Sequence, residues 1–167
     1  MQKITTFLWF DDQAEEAAEF YVSVFRARRE TSGGGGESKV LEVSRYGEAG
    51  PGTPGTAMVV RFTLDGQEFL ALNGGPLFPF TEAISLSVAC ETQAEVDQLW
   101  DALTAGGEES MCGWLKDRYG LSWQINPTRL GELLSDPDPE RAKRATEAML
   151  QMRKIDIAAL ERAADAG

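Results

Sequence analysis

Ile4-Thr5-Thr6-Phe7-Leu8-Trp9-Phe10, followed by Asp12-Gln13-Ala14-Glu15, has a counterpart eighty residues on. There Ile84-Ser85-Leu86-Ser87-Val88-Ala89-Cys90 is followed by Thr92-Gln93-Ala94-Glu95. Each first segment reads as a strand and each second as the start of a helix. Asp12 and Thr92, Glu15 and Glu95, and Phe20 and Trp100 all stand at that one offset. Self-similarity at a fixed spacing means that one supersecondary unit is used twice, and this sets the architecture before any single element is considered.

In the first copy, Ile4 to Phe10 places Ile4, Thr6, Leu8 and Phe10 on one face and Phe7 and Trp9 on the other. Both faces are apolar enough for a covered strand. Asp12 and Glu15 have the spacing of a capping box, in which each side chain satisfies an orphaned amide at the helix start. Ala14, Ala17, Ala18, Tyr21, Val24 and Phe25 form the apolar stripe of that helix. Gly33-Gly34-Gly35-Gly36 reads as a flexible connection between strands, Lys39 to Tyr46 as a strand, and Gly47 to Gly55 as a loop. Ala57 to Leu64 and Gln67 to Leu72 flank Asp65-Gly66, a strong hairpin signal.

The second copy repeats this order. Thr92 and Glu95 cap a helix with Val96, Leu99, Trp100 and Leu103 on its stripe, and Gly106-Gly107 ends it. Strands are predicted at Glu108 to Met111, Cys112 to Lys116 and Leu121 to Asn126. Beyond Pro127, Asp138-Pro139 opens a helix to about Arg153, and Asp156 caps a short last one with Ile157 and Leu160 inward. The expected fold is α+β: two β-α-β-β-β modules, residues 1–76 and 77–127, forming a curved, mostly antiparallel sheet around a cavity. A C-terminal helical tail at 128–167 completes a single structural domain.

Composition narrows the function. A chain of 167 residues, 43% hydrophobic and 26% charged, is long enough for one domain with a real core. A net charge of −11 argues against nucleic acid and anionic membrane surfaces as partners. No apolar run approaches the roughly 20 residues of a membrane span. The chain enters its first strand without a signal-peptide core, and its two cysteines make no disulfide framework, so a cytoplasmic protein with reduced thiols is expected. Histidine is absent from the chain. This removes the commonest general base, the Ser-His and Cys-His dyads, and the commonest transition-metal ligand.

Two β-α-β-β-β modules with this hairpin pattern resemble the vicinal oxygen chelate superfamily of glyoxalase I and the bleomycin-resistance proteins. Phe7 to Ala17 with Phe20-Tyr21, Cys112 to Ile125 and Met152 to Leu160 resemble its PhnB-like branch, some of whose sequences carry a 3-demethylubiquinone-9 3-methyltransferase label. In metal-dependent members, four strand positions supply His and Glu ligands. By approximate placement those positions hold Thr6, Ala71, Ala83 and Gln124 here, which implies a family metal site without its ligands and a protein with no metal or other cofactor. The four-glycine run, set between two strands, does not suit a cofactor-binding strand-to-helix turn. The resemblance also implies a homodimer.

Candidate site residues follow. Cys112, Trp114 and Lys116 alternate on one predicted strand and so share a face, where Lys116 could lower the thiol pKa of Cys112 and activate it. The alternative is that Cys112 fills core, Trp114 packs and Lys116 meets solvent. Gln124 stands where the family places a metal carboxylate, and its amide suits a ligand or neighbouring backbone. Glu82 is a base if buried and otherwise an exposed loop carboxylate, and Asn73 is a ligand donor or a turn residue. The leading expectation is a metal-independent small-molecule-binding protein, with Trp114, Gln124 and Asn73 touching the ligand. The alternatives are an enzyme with Cys112 as nucleophile, assisted by Lys116 or Glu82, and a structural or interaction module whose cavity its own side chains fill.

Overall fold

A computed structural model describes residues 2–167 and divides the chain into two compact units, Met1–Phe80 and Thr81–Gly167. The first contains β1 (Thr6–Phe10), α1 (Ala14–Ser32), β2 (Lys39–Arg45), β3 (Ala57–Leu64) and β4 (Gln67–Asn73). The second contains β5 (Ser85–Cys90), α2 (Gln93–Thr104), β6 (Glu108–Glu109), β7 (Trp114–Lys116) and β8 (Ser122–Pro127). Three helices follow: α3 (Thr128–Leu134), α4 (Pro139–Met149) and α5 (Ile157–Asp165). The predicted α+β fold of two β-α-β-β-β modules with C-terminal helices is the one observed. Each module forms its own four-stranded sheet, in the orders β1-β4-β3-β2 and β5-β8-β7-β6. In both, the first strand lies parallel to the fourth and the remaining pairs are antiparallel.

The repeat survives in the register. Leu8 pairs with Ala71 and Val88 with Ile125, so the eighty-residue offset carries the buried positions of β1 onto those of β5. Side chains alternate across a strand. Leu8, Phe10, Phe69, Ala71, Val60 and Phe62 therefore share one face, buried with Ala14, Ala17, Ala18, Tyr21, Val24 and Phe25 of α1. Tyr21 stacks over Phe62 at 6.5 Å between ring centroids, and Phe62 over Phe69 at 5.6 Å. Burying such a side chain contributes about 1.5–3 kcal/mol. The other face of β1 is covered only in part, less than the sequence reading expects: Trp9 packs edge-on against Phe78 at 4.9 Å, but Phe7 is 54% exposed.

The two helices start differently. Thr92 and Glu95 form the predicted capping box, with Thr92 Oγ1 accepting from Glu95 N at 3.2 Å and Glu95 Oε2 accepting from Glu91 N and Thr92 N. Asp12 caps nothing. The N-cap of α1 is Gln13, without a side-chain hydrogen bond, and Ala14 N instead donates to Asn73 Oδ1 at the end of β4, at 2.8 Å. Glu15 is turned away into an ion pair with Arg45 at 2.9 Å. A tertiary contact has replaced the local cap.

The four glycines do not join strands. Gly33 ends α1 in the left-handed conformation, with its N–H on Arg29 O. Gly36 lies so close to the Asp65-Gly66 turn that a Cβ there would come within 2.5 Å of the Asp65 backbone. The turn has positive φ at both residues (53° and 82°), as a tight hairpin requires.

In the second unit, Leu130, Leu133, Ala145, Ile155, Leu160 and Ala164 make a small core of their own. α3 is missing from the sequence reading because seven residues carry too little periodicity. α4 stops at Met149 rather than near Arg153, since the chain turns there to present Met152 O and Arg153 O to Cys112 N and Gly113 N, both at 2.8 Å. Gln93 of α2 holds the same segment, donating to Ile155 O and accepting from Ile157 N.

Candidate functional site

The face of the second sheet opposite α2 is where polar chemistry gathers. Trp123, Ile125, Leu115, Val88 and Cys90 are buried, so Ser122, Gln124, Asn126, Trp114, Lys116, Ser85 and Ser87 point the other way. Gln124 Nε2 donates to Ser85 Oγ at 2.9 Å, and Asn126 Nδ2 donates to Ser87 Oγ at 2.9 Å and to Gln124 Oε1 at 3.4 Å. Trp114 pairs directly with Gln124 and is half-buried beside this ladder. Trp114 and Gln124 thus share one surface.

Lys116 lies on that face and forms an ion pair with Glu82. Their hydrogen bond is the main cause holding the Glu82 carboxyl below the ordinary carboxylate range and the Lys116 ammonium above its ordinary value. Glu82 is an exposed, ionised carboxylate, the opposite of the raised pKa that suits a general base near neutral pH. The pair borders a cleft of about 150 Å³ with Glu108, Ser110, Trp114 and Ser122.

Cys112 is not on the strand with Trp114 and Lys116, contrary to the sequence reading. β7 begins at Trp114, and Cys112 sits in the preceding turn with φ at +59°. It does not line the cleft that holds Lys116. Gly113 is left-handed too, and a Cβ there would meet Ile125 O at 2.9 Å. The Cys112-Gly113 pair therefore works as a corner, its two amides anchoring the 152–153 segment.

Asn73 is placed in the first unit. Its carbonyl oxygen caps α1, and its Nδ2 donates to Ala57 O at 3.1 Å. It borders a polar cleft of about 700 Å³ with Asp11, Asp12, Arg45 and Tyr46. Two groups there are internally satisfied: Arg45 by Glu15, and Tyr46 O–H by Asn73 O at 2.5 Å.

The four positions expected to answer to metal ligands do not make a donor set. Ala71 lies fully buried on the α1 side of its sheet, while Gln124 lies on the uncovered side of the other. The register corrects the correspondence: Gln124 pairs with Ser87 as Leu70 pairs with Phe7. The side chains at those positions, an amide, a hydroxyl, a leucine and a phenylalanine, lack the anionic or imidazole donors a divalent ion needs. Among the described residues, no group of three or more cysteine, aspartate or glutamate side chains is placed to hold a metal ion. The strand-to-helix turns, Asp11-Asp12-Gln13 and Glu91-Thr92, contain no glycine to admit a nucleotide-type cofactor against a helix start.

The family described as 3-demethylubiquinone-9 3-methyltransferase matches residues 2–126. The chain belongs to that family. Among solved structures, the PhnB protein of Bacillus cereus is 41% identical, with a TM-score of 0.66, over 76% of this chain and 100% of its own. A Pseudomonas aeruginosa protein is 22% identical, with a TM-score of 0.58, over 76% of this chain and 98% of its own. The fosfomycin resistance protein FosX of Listeria monocytogenes is 13% identical, with a TM-score of 0.52, over 79% of this chain and 97% of its own. These last two likenesses show the fold alone. No curated protein matches the chain. Among the described residues, no helix is long and apolar enough to cross a membrane.

Sequence reasoning missed Ser85, Ser87, Asn126 and Ser122. The signal was present in the repeat itself, where Ser87 and Ala89 stand eighty residues after Phe7 and Trp9.

Proposed function

We propose that the protein binds a small molecule, without a metal ion, on the uncovered face of its second sheet. Trp114 supplies the apolar contact, and Gln124 with Asn126, Ser85 and Ser87 supplies the hydrogen bonds. The observation carrying this reading is the polar ladder beside a half-buried indole. A few placed polar groups around an aromatic surface are the usual makeup of a ligand site. Asn73 is assigned to α1 capping rather than to the ligand. Methyl transfer, named in the family's description, gains no support from the turns described above. Cys112, spent on a strained corner, does not favour the nucleophile reading. We place the protein in the cytoplasm, with both thiols free.

We further propose a homodimer. Ile4, Phe7, Leu77, Phe78 and Ile84 are each more than half exposed, and a second copy would cover such apolar side chains. Light scattering is expected to give about twice the 18.3 kDa chain mass, and a monomer would contradict the dimer. The ligand reading is tested by a thermal-shift screen against metabolites and divalent metals, since a native-state ligand raises the midpoint. A metabolite shift lost in Trp114→Ala and Gln124→Ala supports it; a shift with metals alone overturns it.

A further inference from the structure

Ser122 is 1% exposed, and its hydroxyl has no hydrogen-bond partner among the described residues. A buried hydroxyl left unmatched is costly, so it is retained where something else completes it. Its register places it opposite Lys116 on the uncovered face, and it lines the cleft of about 150 Å³ with Trp114, Lys116, Glu82 and Glu108. At about 30 Å³ for each water in the liquid, that volume takes a molecule of only a few heavy atoms.

The charges select its class. Lys116 is matched by Glu82, and Glu109 accepts from Trp100 Nε1 and faces Arg153. Glu108 lies across from Lys116 in the β6–β7 register, which leaves two carboxylates against one ammonium. An anion is repelled there, whereas a cation gains from both the carboxylates and the indole face.

Resting on the binding reading above, we propose that this cleft takes a small amino alcohol. Its hydroxyl pairs with Ser122 Oγ, and its ammonium sits by Glu82 and Glu108 against the face of the Trp114 indole.

The test is an NMR titration of the ¹⁵N-labelled full chain with ethanolamine, n-propylamine and ethylene glycol, which match in size but differ in polar ends. Ethanolamine is expected to shift the Trp114 indole N–H saturably, in the millimolar range for so small a ligand. The other two bind about tenfold more weakly, each lacking one hydrogen-bonded end. Ser122→Ala removes the preference for ethanolamine over n-propylamine without lowering the melting temperature of the free protein, because no internal hydrogen bond is lost. Glu108→Gln, at an exposed position, weakens both amines. Equal binding of the three probes, unchanged ethanolamine binding by Ser122→Ala, or a lowered melting temperature of that variant would overturn the proposal. If ethanolamine fails while another metabolite moves Trp114 and Gln124, the amino alcohol falls and the binding reading stands. If nothing moves them, both fall.

Discussion

The two modules share a backbone plan and differ in how they spend it. On the uncovered face of the first sheet stand Phe7, Trp9, Leu70 and Leu72 around Arg61, whose guanidinium is tied to Glu42 and Glu68. On the uncovered face of the second, Ser85, Ser87, Gln124 and Asn126 form a hydrogen-bonded ladder beside Trp114. The helix-covered faces stay alike, with Leu8 answering to Val88 and Ala71 to Ile125. The residues that must pack under a helix preserve the fold, and the opposite side is free to carry chemistry. Hairpin turns and helix starts diverge in the same way, by tertiary or dihedral means in the first module and by buried acids in the second.

The turn contrast has the largest expected effect. Asp117 is buried; its Oδ1 accepts from Tyr119 N and Leu121 N, and its Oδ2 accepts from Trp123 Nε1 at 2.8 Å. Asp117→Ala is expected to cost about 3 kcal/mol in denaturant unfolding, through the loss of several charge-assisted bonds. In the first module's turn Asp65 has positive φ, pairs with Arg28 and accepts from Gly36 N, but it is more exposed than Asp117, so Asp65→Ala costs about 1–2 kcal/mol. Equal costs would break the contrast.

Next come the helix starts. Glu95 is 1% exposed, and removing it strands the amides of Glu91 and Thr92, so Glu95→Ala costs about 2 kcal/mol. Its repeat partner Glu15 sits in a surface ion pair, and Glu15→Ala changes stability by about 0–1 kcal/mol. Asn73→Ala removes a cap supplied from another element and costs about 1–2 kcal/mol, with faster amide exchange at Ala14 as its local signature.

The smallest effect is a pH dependence particular to the second module. Asp97 is held below the ordinary carboxylate value, first by Gln93 and then by Lys154, and Lys154 is raised by Asp97. The Asp97 contribution is therefore present above its unfolded pKa and lost as pH falls through the folded value. The Lys154 contribution is present below its unfolded pKa and lost as pH rises through the folded one. Both groups are largely solvent-screened, so roughly a few tenths of a kcal/mol is expected, flattened in Asp97→Asn acid titrations followed by circular dichroism.

Much of this was legible in the chain. The repeat, the Asp65-Gly66 hairpin and the Thr92/Glu95 box are local signals, and local signals survive folding. What misled were positions decided by distant partners. Asp12 looked like a cap, but Asn73 reaches the helix start from the far end of the sheet. Cys112 looked like a strand residue in phase with Trp114, but Met152 and Arg153 draw its turn into left-handed backbone. The candidate site was half readable: alternation placed Trp114 and Lys116 together, whereas the serines opposite Gln124 and Asn126 needed the parallel register of β5 and β8.

The most direct test of the account is a ¹⁵N-resolved NMR titration of the full chain with a metabolite and divalent-metal library, watching side-chain N–H signals on both uncovered faces. A ligand site on the second sheet requires a metabolite that moves Trp114 Nε1–H with the Gln124 and Asn126 amides and leaves Trp9 Nε1–H in place. A library in which every ligand moves only Trp9, or in which only metal ions move Gln124, would contradict it.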